Sequence, residues 1–582
     1  MLFYSPMVNR RILFGFTLAL GVFSGNPLFG NPDVEIWRED VLRSTESTIQ
    51  EAVNAAQPGD VVRVREGVYH ETITIVDKNA DPSLPFVLEA AEGETVILDG
   101  ADAGLQTADS GRWEWSEADQ AWVAEVPWSG RTSRALLTWA SYDDGRLIAS
   151  HHDREFFLAG NRGDALFREG NTVYLRLADG TSPNEVSLNI GVSEGILQFF
   201  ESSGWIVRGF RLEHAGFAGV HLKGPTVHDI ILEDLEIESS YRGISTEEYG
   251  VGFSDRISVR RCRVLNEWNF DWPWKDGYRD SDSSGSDETA PMRGGGIHMR
   301  ANNSEVFGCE VSGQWDGIRI QGRNVDVYQN RLHKIKDDMM ELESNNSRNV
   351  RVFENFGYEV FVGVSLVSNR GGPIYIYRNW VQTGLRSRMY DNVWRYGYPL
   401  KFGSDWGPGA ENIFIYQNTF DSMGRSLFVQ RRSNPEKWKN IEWVNNIFSR
   451  TNSGVLGIEG MGDPSKGIRW EGNLFVRNEE IEKLRSFSEE FANAGIVGDP
   501  VFVDADGEAP DLRIEEESDA RRVGTRRAIE MNWPDSVEPT AGLPDAGAVP
   551  FGFPRLEAAP NVTPALEAPS LSADSEMNVT DS

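Results

Sequence analysis

Apolar and polar residues alternate in short runs along most of this chain, and the runs share an ending. Ile413-Phe414-Ile415-Tyr416-Gln417-Asn418, Ile374-Tyr375-Ile376-Tyr377-Arg378-Asn379, Val350-Arg351-Val352-Phe353-Glu354-Asn355 and Val325-Asp326-Val327-Tyr328-Gln329-Asn330 are copies of one pattern, a period-two strand closed by asparagine. Weaker copies end at Gly209, Asp234, Cys262, Cys309, Asn446 and Asn473. From Cys309 the spacing is 21, 25 and 24 residues through Asn330 and Asn355 to Asn379. Such alternation marks strands with one face inward. A repeat of this length is one coil of a solenoid whose strands pair with the coils before and after. The pattern therefore predicts an all-β protein, a parallel β-helix. A side-chain amide both donates and accepts, so an asparagine column at a tight turn can bond from coil to coil as a ladder. Cys262 and Cys309 fall in that column and are expected as buried, stacked thiols rather than a disulfide, whose geometry is specific.

The strands that precede the ladder segments align as a second series: Val220-His221-Leu222-Lys223, Ile244-Ser245-Thr246-Glu247, Ile297-His298-Met299-Arg300, Ile318-Arg319-Ile320-Gln321, Met340-Glu341-Leu342-Glu343, Val364-Ser365-Leu366-Val367 and Leu400-Lys401-Phe402-Gly403. If their apolar positions point inward, His221, Ser245, His298, Arg319, Glu341, Ser365 and Lys401 line one exposed face. Lys223, Glu247, Arg300, Gln321 and Glu343 then form a flanking column. Rungs lie ~4.8 Å apart, so His298, Arg319 and Glu341 would come within reach of one another. A slip of one residue would invert every face. An acid, a cation and a proton-transfer group on one face are the ingredients of an active site.

The opening stretch from Thr48 to Val62, with Gly67-Val68-Tyr69, resembles the capping helix and first strand of the pectin-lyase-like superfamily of right-handed parallel β-helices. Ser47 with Gln50, or Thr48 with Glu51, has the spacing of a helix-capping box. Asp499-Pro500-Val501-Phe502-Val503-Asp504 and Asp545-Ala546-Gly547-Ala548 look like the closing coils of such proteins. The resemblance spans 45–552 and is specific for fold; lyases, hydrolases, epimerases and phage adhesins share that scaffold. The expected organisation is a cap and first coils at 45–100, a Trp-rich β insertion at 101–190 and the main helix at 191–552. A disordered tail rich in Pro, Ala, Ser and acidic residues follows at 553–582. Residues 1–30, with Arg10-Arg11 before the apolar run Ile12–Phe23, read as a signal for export. The mature chain is expected to be a secreted or periplasmic monomer.

Two cysteines leave stability to packing rather than to a disulfide scaffold. A formal charge of −32 argues against nucleic acid as a partner, although a local basic cleft can still bind a polyanion. Two long insertions bracket the candidate face, of 47 residues between Cys262 and Cys309 and 39 between Asn379 and Asn418. Trp272 and Trp274 in the first, and Arg386, Arg388 and Trp394 in the second, are candidates to stack on sugar rings or grip acidic groups. With Arg300 and Glu343 they make up the expected substrate-binding set. The sharpest motif, Lys336-Asp337-Asp338-Met339-Met340-Glu341 with Asp316 one rung earlier, is similar to the Asp-Asp-x-x-Asp calcium cluster of one pectate lyase family. That similarity implies a calcium site of Asp316, Asp337, Asp338 and Glu341, and a neutral Lys or Arg as base. Glu341 stands where the family has Asp, and the nearest lysine, Lys401, is two coils away. Three readings stay open: β-elimination of an acidic polysaccharide with Arg319, Lys401 or His298 as base; hydrolysis by two of Asp316, Asp338, Glu341 and Glu343; or glycan binding without catalysis. In either enzymatic reading the catalytic candidates are His298, Arg319, Asp338, Glu341 and Lys401.

Overall fold

The computed structural model describes residues 34–552 apart from 127, 129–139, 143–144, 152–153, 160–162, 247–251, 267–293, 343, 345, 368, 385, 391–392, 403–409, 423–427, 430–437, 451–466, 488, 508–509 and 537–541. The signal reading at 1–30 and the tail at 553–582 lie outside these residues. Among the described residues no helix is long and apolar enough to cross a membrane.

The chain winds as a right-handed parallel β-helix with three stacks of strands. Stack I runs from Ile73–Val76 through Gly195–Phe200, Ala218–Lys223, Arg242–Ser245, Gly295–Asn302, Asp316–Gln321 and Tyr398–Phe402 to Phe428–Val429. Stack II begins at Val61–Val64 and ends at Ile468–Glu471. Stack III begins at Gly67–Tyr69 and ends at Gly495–Val497. The strands Arg331–Glu341 and Phe356–Leu366 each turn the corner from stack III into stack I without a break. Inward side chains of all three stacks form one long core, including Val207, Leu232, Val259, Val306, Val327, Val352, Ile376 and Ile415.

A stack of coils has two open ends, and helices close both. The helix Ile49–Ala55 puts Ile49, Ala52 and Val53 onto the first coil, and the Thr48 hydroxyl accepts the Glu51 N–H at its N-terminus. At the far end the helix Asn478–Phe487 contributes Ile481 and Leu484 to the same core. Between Asp99 and Gly195 the chain leaves the coil and forms a separate five-stranded sheet around Leu105, Trp113, Val126, Leu166, Val173 and Leu175.

Between stacks II and III the asparagines form the ladder. Nδ2 of Asn330, Asn355, Asn379, Asn418 and Asn446 donates to Oδ1 of the next asparagine at 2.9, 2.9, 3.0, 3.0 and 3.0 Å, ending on Asn473. The same Oδ1 accepts a backbone N–H, as Asn379 Oδ1 does from Asn355 at 3.1 Å. Each amide also donates to a main-chain carbonyl, as Asn379 does to Val352 at 2.8 Å. The residue before each ladder position is left-handed, with φ of 53°, 55°, 54° and 53° at Gln329, Glu354, Arg378 and Gln417. Cys262 and Cys309 occupy the same column as free, fully buried thiols.

Two expectations are corrected. Gly209 and Asp234 are the left-handed residues themselves, because Arg208 pairs with Glu233 and Glu233 with Arg260. The inward column on those rungs is held by Phe210 and Leu235, both buried in the core. The parallel winding also stops at Gly495–Val497, well short of 552. Phe502–Asp504 and Asp511–Ile514 instead pair antiparallel, and Leu512 and Val549 pack with Phe356, Tyr358 and Trp380 on the outside of stack III. On the outside of stack II, Trp533 ends the ring stack Tyr328, Phe353, Tyr377 and Tyr416, spaced at 4.9, 5.0 and 5.0 Å.

Asn379→Ala leaves buried partners on both sides without bonds, and each such orphan costs about 1–3 kcal/mol. Denaturant unfolding should show a loss of roughly 2–5 kcal/mol; a loss within error would show that the ladder does not hold the coils together. Glu310 offers a second test, because a hydrogen bond from His333, helped by Arg263, holds its carboxyl down at about 2. A depressed carboxylate contributes stability above its unfolded value of 4.5 that is lost as pH falls toward 2. Across that window Glu310→Gln should lose stability less steeply than the wild type in pH-resolved unfolding.

Candidate active site

Stack I carries the candidate residues, and its register reproduces the column read from the strands. Consecutive pairings run Gln198–His221, His221–Ser245, Ser245–His298, His298–Arg319, Arg319–Glu341, Glu341–Ser365 and Ser365–Lys401. The preceding apolar residues Val220, Ile244, Ile297, Ile318, Met340, Val364 and Leu400 are all in the core. The column is not an open face, however. His298 is 2% exposed and Glu341 4%, while the Arg319 and Lys401 side chains reach 11% and 18%. Neighbouring columns pack across it, as Phe217 does on His221 at 5.3 Å and Arg242 on Phe217 at 5.1 Å.

The second outward column is the one that alternation alone could not locate. Gly219, Gly243, Gly296 and Gly317 stand before the apolar residue on successive rungs. A Cβ on them would sit 2.6 Å from Ile237, 2.4 Å from Val264, 2.3 Å from Val311 and 2.4 Å from the Met339 carbonyl. These residues therefore turn inward at the corner between stacks III and I, together with the apolar residue that follows. Two inward residues in a row place the outward positions three apart rather than two. Asp316 thus accompanies Arg319, and Asp338 accompanies Glu341. In the flanking column expected from strict alternation, Lys223 pairs with Glu194 and Arg300 lies over the Phe253 ring at 4.7 Å.

Asp316, Asp338 and Glu341 converge: each offers a carboxylate oxygen, and these lie within 4.8 Å of one another. The Asp338 N–H donates to Asp316 Oδ1 at 3.3 Å. Lys401 Nζ donates to Asp338 Oδ2 at 2.8 Å, and Arg319 Nε lies 3.5 Å from Glu341 Oε1. The lysine spans two rungs because its stem is long and Ser365, on the rung between, is small. Buried carboxylates require such partners or a metal.

The strand that brings in Asp338 is irregular. Ile335 pairs with Val360 and Asp338 with Val362, so three steps on this strand oppose two on the next. This is a β-bulge at Lys336–Asp337, a device that re-aims side chains. Asp337 is consequently not among the three converging carboxylates, contrary to the four-residue set, and its N–H donates to the Trp315 carbonyl at 2.8 Å. Trp272, Trp274 and Glu343 lie outside the described residues. Arg386, Arg388 and Trp394 belong to an antiparallel hairpin, Arg386–Tyr390 with Val393–Tyr396, in which Arg388 faces Trp394 in backbone register; their side chains are outside the described set.

The pairing of coil on coil gives the chain a right-handed parallel β-helix fold. Within that class, a segment of 74 residues is 40% identical to pectate lyase PEL9 of Emericella nidulans, covering 11% of this chain and 18% of that relative. No protein-family profile matches the chain. Among solved structures, a XylC–xylose complex superposes with a TM-score of 0.47 at 15% identity, covering 74% of this chain and 80% of that one. Pectate lyase Pel9A superposes at 0.39 and 11%, covering 86% and 90%.

The corner glycines yield a direct test. Gly317→Ala puts a methyl against the Met339 backbone, and such overpacking costs about 1–3 kcal/mol. Thermal unfolding of this variant should show the loss; unchanged stability would mean that the corner tolerates a side chain and that the three-residue spacing has another cause.

Proposed function

We propose that this chain is an exported carbohydrate-active enzyme that cleaves a uronate-containing polysaccharide by β-elimination. The observation that carries this reading is the convergence of three buried carboxylates with Lys401 and Arg319 on neighbouring rungs. The segmental likeness to a pectate lyase supports it.

The carboxylates are hard oxygen donors in close approach, a set that fits calcium, and Asp316, Asp338 and Glu341 would hold the ion. Bound there, calcium would neutralise a substrate carboxylate and so acidify the adjacent C5–H. Arg319 supplies fixed positive charge beside Glu341, since a guanidinium does not lose its proton under working conditions. Of the three candidate bases, Lys401 is the one whose amine reaches into the carboxylate cluster. As the neutral amine, released from its ion pair with Asp338, it takes the C5 proton; the electron pair forms the C4–C5 double bond, and the C4–O bond breaks with its electrons on the leaving oxygen, which is then protonated.

Hydrolysis, with two of these carboxylates as acid and base, is the second reading; one oxygen of each of the three lies within 4.8 Å of the others. Three carboxylates that close together suit a shared cation better than an acid and a base.

Sodium polygalacturonate, alginate and a sulfated polysaccharide, each incubated with and without calcium, separate the readings. The ultraviolet absorbance of unsaturated product should rise with new reducing ends on a uronate polymer, and a chelator should abolish the rise. Reducing ends without absorbance would mean hydrolysis, and binding without cleavage would mean an adhesin. Lys401→Met should lower turnover about 10²–10⁴-fold with the circular dichroism spectrum unchanged. Asp316→Asn should weaken calcium binding measured by titration calorimetry.

A further inference from the structure

His298 sits on the rung before the carboxylates, and its seat is unusual. A Cβ on Gly295 would lie 1.9 Å from His298 Nε2 and 2.6 Å from Cδ2, so the imidazole occupies the space over Gly295. Position 295 is the outward slot of its rung, in register with Arg242 before it and Asp316 after it. Arg242 fills its own slot and donates to Ser245 Oγ at 3.3 Å. Successive outward slots thus hold a guanidinium, an imidazole and two carboxylates, those of Asp316 and Asp338. The imidazole borders the carboxylate cluster on the side opposite the rung of Lys401.

We infer that His298 is the acid that protonates the leaving oxygen, and that Gly295 is the positioning residue that seats it. The inference rests on the β-elimination reading. Elimination breaks bonds on adjacent carbons and needs a base on one side and a proton source on the other. The C5–H bond breaks and its proton goes to the Lys401 amine. The freed pair forms C4=C5, the C4–O bond breaks with its electrons on oxygen, and that oxygen takes the proton from His298. Arg319 is nearer the centre of the cluster, but a guanidinium is a poor proton donor.

Gly295 differs from the corner glycines in what an added methyl would meet. At Gly296 and Gly317 the obstacles are packed Val311 and the Met339 backbone; at Gly295 they are the far end of a side chain that can rotate away. Alanine at 295 should displace the ring and leave the coil intact.

The test is a double-mutant cycle on the full-length enzyme with sodium polygalacturonate, reading kcat, KM, thermal midpoint and rescue by added imidazole. Gly295→Ala and His298→Ala should each lower kcat about 10²-fold or more, with KM and midpoint little changed. The double variant should fall no further than His298→Ala. Imidazole in solution should restore part of the His298→Ala rate and none of the Lys401→Met rate. Wild-type kcat in Gly295→Ala, or losses that multiply in the double variant, overturn the seating. Loss in His298→Ala that imidazole does not restore overturns the acid role. A wild-type enzyme that releases no unsaturated product from any uronate polymer overturns the elimination reading, and the acid role with it.

Discussion

Everything in this molecule depends on pairing between one coil and the next. A parallel strand has no partner within its own coil, so its backbone N–H and C=O groups are satisfied only if neighbouring coils stay in register. The asparagine ladder makes that register rigid in the second half of the helix. Its amides bond to one another, to main-chain N–H groups and to carbonyls, and a slip of one residue would orphan all three. Locked register turns a sequence repeat into a spatial column. Residues as distant as His298 and Lys401 therefore stand on one axis, and the carboxylates of Asp316, Asp338 and Glu341 meet.

Electrostatics reinforce the same register. On stack II, Arg63, Glu89, Arg208, Glu233 and Arg260 follow one another rung by rung. On stack III, Arg211, Glu236, Arg263, Glu310 and Arg331 do the same. Strict alternation makes every vertical neighbour a counter-ion, and displacement by one coil would stack like charges. Each exposed pair contributes little, but the ladders penalise the wrong pairing repeatedly. On stack I, Arg319 and Lys401 likewise face carboxylates of nearby rungs.

The fold and the main column were legible because both rest on short-period patterns, alternation within a strand and asparagine at its end. The companion column was not, because it depends on the corner. Alternation alone sends Arg300 and Glu343 beside the site, whereas the residue before each apolar one also turns inward, glycine on four rungs and Met339 on the next, and brings in Asp316 and Asp338. The glycines at 219, 243, 296 and 317 were the available signal. Asp337 could not be separated from Asp338 by eye, since an extra residue at Lys336–Asp337 shows itself only against the neighbouring strands. Gly209 and Asp234 fell one place short of the inward column because the ladder there is apolar and the left-handed residue is the more conspicuous one. The closing segment misled for a related reason: its apolar residues alternate like a coil but pack on the outside of stack III instead.

The central claim is that coil-to-coil register, with the corner and the bulge that bring in Asp316 and Asp338, assembles one catalytic face along stack I. The most direct measurement is a crystal structure of the Lys401→Met enzyme with a bound uronate trisaccharide. The account predicts that the sugar lies along the helix axis, with one carboxylate at the Asp316–Asp338–Glu341 cluster and its C5–H pointing to position 401. A trisaccharide bound on another stack, or one whose C5–H faces away from position 401, would contradict it.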